Sequence, residues 1–227
     1  MTDRIDCNAT GSVTAVEMQK KQPHRYNIYV NDEYAFSAHE DVIVKYRIIK
    51  GSVLSDPLLQ EALDEEERGS AYRAALRYIG PAMRSSMEIA AKLKSKGYGD
   101  EQIASVIDRL QREKYVNDGQ YAETLAGQRL RSQRKGPLWI KRELRQKGID
   151  QAQIDAVLAN IDEKEERKQA RALAAKRWSS DRSEPAVKRR KIVAMLQRRG
   201  FRSETVKLVI NELHQAEEEL WTDEYDD

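Results

Sequence analysis

Two stretches of this 227-residue chain place positive charge where a polyanion could use it. Residues 129–147 hold eight basic side chains and one acid, Glu143; residues 176–202 hold ten basic side chains against Asp181 and Glu184. Arg129, Arg131, Arg134 and Lys135 precede Pro137, while Lys141, Arg142, Arg145 and Lys147 follow it, and Lys188, Arg189, Arg190 and Lys191 are consecutive. Neighbouring cations repel and weaken a free helix, whereas phosphate contact relieves that repulsion and releases counterions. The chemistry on offer is electrostatic recognition of a nucleic-acid backbone. No helix-turn-helix cue points to base readout, so the expected contacts are to phosphate. Trp139 and Trp178 stand in these stretches, each able either to stack on an unpaired base or to pack in a core.

Covalent chemistry has little to work with. The single cysteine, Cys7, cannot form an internal disulfide, and His24, His39 and His214 lack metal-ligand spacing. There is no P-loop, no dinucleotide-binding glycine pattern and no His-x-x-x-His pair. The chain reads as a binder with no catalytic residue, metal or cofactor. No apolar run reaches the ~18 residues of a membrane span, and the N-terminus lacks the apolar core of a secretory signal, so the cytoplasm is the expected compartment.

Charged residues are 34% of the sequence although the formal net charge is only +2. From Asn211 onward the chain carries eight carboxylates and no Lys or Arg, which leaves +40 and −30, a net +10, over residues 1–210. A second acidic knot spans Glu61–Glu67. Both acidic runs read as solvated linker or tail, and the tail is expected either to screen the basic stretches or to contact a partner.

The elements that must position the cations repeat. The segments KLKSKGYGDEQIASVIDRL, ELRQKGIDQAQIDAVLANI and MLQRRGFRSETVKLVINEL align on Gly97, Gly148 and Gly200, 51 and 52 residues apart. Ile89, Ile140 and Ile192 lie eight residues before the glycine, and Leu93, Leu144 and Leu196 four before. Ile103, Ile154 and Val206 lie six after it, and Val106, Val157 and Val209 nine after. Such spacing predicts two amphipathic helices meeting at a glycine in the left-handed helix-ending conformation. A further helical segment precedes each pair, with Tyr72, Ala75, Leu76 and Ile79, then Tyr121 and Leu125, then Ala170, Leu173 and Ala174 as its inward positions. Ser85 with Glu88 matches a capping box, Pro137 and Pro185 suit a first helical turn, and Asp100, Asp150 and Ser203 are the expected N-caps.

The fold class that follows is mainly α: tandem three-helix repeats in an elongated array that permits curvature, preceded by a small β-hairpin extension. Residues 1–11 are expected to be flexible, and 12–67 to form the hairpin and a short helix over Asp41–Lys50. Residues 68–116, 117–161 and 162–213 would be the three repeats, and 214–227 an acidic tail. One residue before each anchor glycine stands Lys96, Lys147 or Arg199; three before stands Lys94, Arg145 or Gln197. Stacked repeats would align these into a cationic stripe, and the same positions equally complement the helix macrodipole without any ligand.

The order and spacing of Ala75, Leu76, Arg84, Ser85, Glu88, Leu93, Lys96, Gly97, Tyr115, Val116, Asp118, Arg129, Gly136, Leu144, Lys147, Gly148 and Ile149 resemble the signature of the bacterial regulatory protein RecX family. RYNIYVNDEYAFSAHEDVIVKYRIIKG resembles the hairpin extension of its longer members, while the third repeat fits less tightly. The resemblance implies a non-enzymatic modulator that lies in the groove of the RecA filament on DNA and limits filament growth, strand exchange and SOS induction. It would act as a monomer on RecA and single-stranded DNA, with double-stranded DNA left open. The residues expected to contribute most are Arg84, Arg129, Arg131, Arg134, Lys135, Lys141, Arg142 and Lys147, with Lys94, Lys96, Arg145, Lys188, Arg189, Arg190 and Arg199 beside them. A general helical module that binds DNA or RNA backbone without RecA is the alternative.

Overall fold

A computed structural model describes residues 10–223. Cys7, most of the stretch expected to be flexible and the last four residues of the acidic tail lie outside the described residues. Among those described, the chain divides into two compact units. The first runs to Pro81 and takes in Leu93–Val106; the second comprises Ala82–Lys92 and the chain from Ile107 on.

In the first unit, alternation of inward and outward residues makes strands β1 (Gly11–Met18), β2 (Arg25–Val30) and β3 (Glu33–His39). Asn31 and Asp32 both adopt positive φ, 51° and 66°, which is the geometry of the two-residue hairpin turn whose twist suits antiparallel strands. The extension is larger than a hairpin. β4 (Val53–Leu54) adds to β1 and gives a four-stranded antiparallel sheet in the order β3-β2-β1-β4. Two residues are too few for alternation to announce a strand. Helix α1 (Glu40–Lys45) is also shorter than the expected Asp41–Lys50, because Arg47 turns to φ 50° and the chain then drops Ile48 into the core. Ile28, Phe36, Val42, Ile48 and Leu54 pack there with Leu59 and Ala62 of helix α2 (Asp56–Ile79).

Helix α2 runs unbroken through the acidic knot and through the boundary expected between residues 67 and 68. Glu61–Glu67 is therefore no solvated linker. Glu66 faces inward, its side chain 10% exposed, and accepts from Arg25 Nη1 at 2.8 Å, Arg73 Nη2 at 3.1 Å and the His39 N–H at 2.7 Å. Burial of a carboxylate is tolerated because three donors replace its water.

The remaining helices are α3 (Ser86–Lys94), α4 (Asp100–Arg112), α5 (Asp118–Arg131), α6 (Pro137–Gln146), α7 (Gln151–Ala159), α8 (Glu163–Ser180), α9 (Pro185–Arg198) and α10 (Ser203–Asp223). Gly97, Gly148 and Gly200 take φ of 92°, 74° and 81°, and the residue after each donates back to the leucine carbonyl four before the glycine. The three expected helix-ending turns are thus the same motif. Its cap register is corrected by one residue in two copies: each following helix begins three residues after the glycine, so the capping position holds Gly99, Asp150 and Arg202. Asp150 accepts from the Ala152 N–H at 2.9 Å. At the other two positions the N–H is satisfied from elsewhere, Gly99 by Gln102 at 3.0 Å and Arg202 by the buried Glu166 at 3.0 Å. One core spans α5 to α10, with Leu125, Ile140, Leu144, Ile154, Ala174, Ile192, Leu196 and Val209 among its members. Helix α10 continues past the boundary expected between residues 213 and 214, to Asp223.

Candidate nucleic-acid interface

The two basic stretches meet. The loop after α5 lies against the C-terminus of α9 so closely that backbone touches backbone: Gly136 N–H donates to Arg199 O at 2.8 Å and Leu138 N–H to Gly200 O at 2.9 Å. A Cβ on Gly136 would fall 2.3 Å from Gly200 O, and one on Gly200 would fall 2.3 Å from Trp139 N. Only residues without a Cβ permit this approach. The junction sets Arg134 and Lys135, at the end of the first stretch, beside Arg198 and Arg199, at the end of the second. Lys135 Nζ lies 4.2 Å from the Trp139 ring centroid, a cation–π contact, and Arg199 donates to Gln133 O at 3.1 Å. Trp139 is half-buried and packs on the core, and Trp178 is buried and donates its Nε1–H to Glu217 at 2.9 Å. Both tryptophans serve packing.

The cations singled out from the sequence separate into two groups. Arg129 and Glu143 form a two-pronged pair with both bonds at 2.7 Å and side chains only 18% and 14% exposed. The Glu143 carboxylate holds the Arg129 guanidinium more firmly protonated than usual. Lys147 Nζ lies 2.6 Å from Glu88, and Lys188 Nζ 2.9 Å from Glu217 while 4.6 Å from the Trp178 ring. On the surface, Lys94 pairs with Asp100 at 3.0 Å and Lys141 with Asp155 at 3.3 Å, and Arg145 donates twice to Gln151. Arg84 is half-buried. By contrast Lys96, Arg131, Arg134, Arg142, Arg189 and Arg190 make no ion pair among the described residues, and all but Arg134 are exposed. Arg134 stands at φ 50°. Arg131 lines an open cleft of about 380 Å³ together with Glu123, Asp162 and Glu165, which offset its charge.

Around Lys147, Glu88 gathers several partners. It forms the capping box with Ser85, the Ser85 N–H donating to it at 3.1 Å and its own N–H to the Ser85 hydroxyl at 3.2 Å. Ser85 in turn donates to Lys147 O at 2.7 Å, and Tyr121 donates its hydroxyl to Glu88 at 3.1 Å. Burial alone would push the Glu88 carboxyl up, but the Lys147 ammonium, the Ser85 N–H and the Tyr121 hydroxyl together hold it below the ordinary range. Burial, reinforced by the Glu88 charge, pushes the Tyr121 hydroxyl up to about 12. Asp118, next to the Asn117 cap of α5, accepts from the Ser86 N–H at 2.8 Å. Residues 59 and 33 positions from Glu88 are joined here, separations that periodicity does not report.

Helix α9 carries a second feature. Arg177, Arg190, Lys191, Ala194, Met195 and Arg198 line an open groove of about 560 Å³ with four cations and no carboxylate on its surface. Positions 190, 191, 194, 195 and 198 share one face of α9, so a helical projection of the sequence contains this signal, although Arg177 and Arg198 were not among the expected residues and Lys191 entered only as the end of the run from Lys188. Lys191 is steadied by Asp181 at 3.3 Å and the Ser183 hydroxyl at 3.1 Å. The arrangement offers oxyanions several guanidinium donors. Among the described residues no cluster of His, Cys, Asp and Glu is arranged to hold a metal ion, and no helix is long and apolar enough to cross a membrane.

Comparison with known proteins agrees with this layout across nearly the whole chain. The regulatory protein RecX N-terminal domain matches residues 11–55, and the first, second and third RecX three-helix domains match 71–110, 117–158 and 164–210. The third repeat, which fits the signature less tightly, thus has its own family counterpart. Regulatory protein RecX of Oceanobacillus iheyensis is 31% identical over 212 residues, covering 91% of this chain and 78% of that protein; that of Bacillus subtilis is 32% identical over 209 residues, covering 91% and 79%. A crystal structure of regulatory protein RecX superposes with a TM-score of 0.74 at 28% identity over 88% of this chain and 98% of the other. RecX from Lactobacillus salivarius gives 0.62 at 29% identity, covering 66% and 99%. With an N-terminal sheet, three glycine-anchored three-helix domains and relatives of this coverage, the chain belongs to the RecX family of regulatory proteins.

Proposed function

We propose that the chain regulates the RecA recombinase without catalysis, by seating in the groove of the RecA filament on DNA and limiting filament growth, and with it strand exchange and SOS induction. It acts in this reading as a cytoplasmic monomer that touches both RecA and the backbone of single-stranded DNA. Family membership supports the RecA partner. The observation that carries the nucleic-acid contact is the meeting of residues 133–139 with Arg199 and Gly200, which brings Arg134 and Lys135 beside Arg199, none of the three in an ion pair among the described residues. Backbone hydrogen bonds fix where the two segments that carry these cations meet.

RecA-dependent ATP hydrolysis on single-stranded DNA tests the reading. Stoichiometric protein is expected to lower the rate, and the triple substitution Arg134→Ala, Arg142→Ala, Arg190→Ala to abolish most of that effect while leaving the fold intact. ATP hydrolysis and strand exchange that the wild-type chain leaves unchanged would remove the RecA role. Binding to DNA that is equally tight with and without RecA, and steeply salt-dependent, would assign a general backbone-binding module instead.

A further inference from the structure

A second cationic groove lies in the first unit, lined by none of the residues so far assigned to binding. It is open, encloses about 560 Å³ between the β1–β2 connection and α2, and is lined by Lys21, Arg25, Arg73 and Arg77 with Gln22 and His39. No carboxylate lines its surface. The one acid in contact with the cations is Glu66, which sits beneath them and takes one prong from Arg25 and one from Arg73. Lys21 and Arg77 are exposed and make no ion pair or hydrogen bond among the described residues. Four positive charges against one negative leave the groove with an unmet demand for anionic oxygen.

The walls are built rather than loose. Arg25 Nη2 donates to Ser37 O at 3.3 Å in addition to its bond with Glu66. The connection folds back on itself through Gln19 N–H to Arg25 O at 2.8 Å and Arg25 N–H to Gln22 O at 3.3 Å, and is pinned to α1 by Glu40 N–H to His24 O at 2.8 Å. On α2, Glu66, Ser70, Arg73 and Arg77 fall at spacings of four, three and four, which is one helical face. Ser70 is fixed by the Tyr98 hydroxyl at 2.8 Å, and Gly69 leaves room for the Arg73 guanidinium, whose Nη1 lies 2.9 Å from where a Cβ would stand.

We propose that this groove, shared between the N-terminal sheet and the first helix of the first three-helix domain, binds the phosphodiester backbone of nucleic acid without regard to sequence, as a second contact. Guanidinium forks fixed from behind by a shared carboxylate present their remaining N–H groups to oxyanions, and phosphate oxygens accept two at a time. Pro23 is the one apolar side chain at the rim, so the groove has no hydrophobic anchor with which to hold an acidic peptide. The inference deepens the proposed function by adding a nucleic-acid contact, and its test omits RecA so that the two can fail separately.

The test is a salt titration of full-length protein binding to fluorescent oligo-dT. Lys21→Ala with Arg77→Ala removes two cations that hold nothing in the fold, and unchanged circular dichroism and melting would verify that. The expected result is roughly tenfold weaker binding and a log–log salt slope shallower by about 1.4, from ~0.7 per phosphate on a single strand. A control with Lys50→Ala and Lys207→Ala, which removes the same charge from exposed positions elsewhere, is expected to change the slope little. Equal slopes for the groove variant and wild type overturn the proposal, as does an equal loss in the control. Retained oligo-dT binding with lost binding to an acidic protein probe such as poly-glutamate overturns it in favour of a protein ligand.

Discussion

Gly97 and Gly200 hold the same place in the first and third three-helix domains. Their φ values are 92° and 81°, and both sit in the same pair of helix-ending hydrogen bonds. Around Gly97 a Cβ would meet nothing within 4 Å, whereas at Gly200 it would lie 2.3 Å from Trp139 N and 2.5 Å from Trp139 Cβ. One glycine is required by conformation alone. The other is required twice, by conformation and by the neighbouring domain's backbone. A repeat in the sequence therefore marks a shared local turn, while the contact that joins the second domain to the third, and brings the basic stretches together, is carried by one copy of that turn.

Alanine at each position separates the two demands. Gly200→Ala incurs about 1–2 kcal/mol for an L residue in left-handed backbone plus overpacking against backbone that cannot move aside, about 4 kcal/mol together. Its thermal midpoint should fall by roughly 10 °C. Gly97→Ala incurs only the first part, about 1–2 kcal/mol. Equal losses in the two variants would mean that the Gly136–Gly200 approach contributes nothing to stability.

The same contrast runs through the cations. Arg129 and Arg131 are two residues apart on α5, yet the first is clamped by Glu143 and the second is exposed without an ion pair. Arg129→Ala leaves a largely buried carboxylate without its partner and should cost about 3 kcal/mol in urea unfolding. Arg131→Ala should change stability by less than about 0.5 kcal/mol. Stability losses of similar size in the two would erase the distinction between cations that hold the fold and cations left for a ligand.

Much of the fold was legible because it is local. Helices, anchor glycines, the Ser85–Glu88 capping box and the Pro137 and Pro185 starts all depend on residues a few positions apart, where periodicity and capping chemistry act. The division of the cations was not legible, since it depends on which carboxylate arrives from far along the chain: Glu88 reaches Lys147, and Glu217 reaches Lys188. The acidic runs were misleading for the same reason. Glu66 reads as one of several solvated acids until the strand carrying Arg25 lies beside it. Glu217, in a presumed tail, caps Trp178 and pairs with Lys188 from within α10. Truncation after Leu213 thus removes a structural contact of the third domain and not merely a screening charge.

Acid titration sharpens the comparison with the smallest expected effect. Glu88 has a lowered pKa, so its cluster contributes stability in full above the ordinary carboxylate range and loses that contribution as pH falls through the folded-state value. Lys147→Met removes the ammonium that opposes the effect of burial, and the Glu88 carboxyl should then protonate at a higher pH. At neutral pH the variant is expected to be less stable by about 1.5 kcal/mol, the scale of a charged hydrogen bond. The gap should close as pH is lowered below the carboxylate range, because protonated Glu88 has no charge for Lys147 to meet. Arg142→Ala, which removes an exposed cation from the same α6, should show no such pH-dependent gap. A Lys147→Met deficit that stays constant from neutral to acid pH would show that Lys147 stabilises the domain by packing its methylenes and not through Glu88, and would move it out of the group of cations that hold the fold by charge.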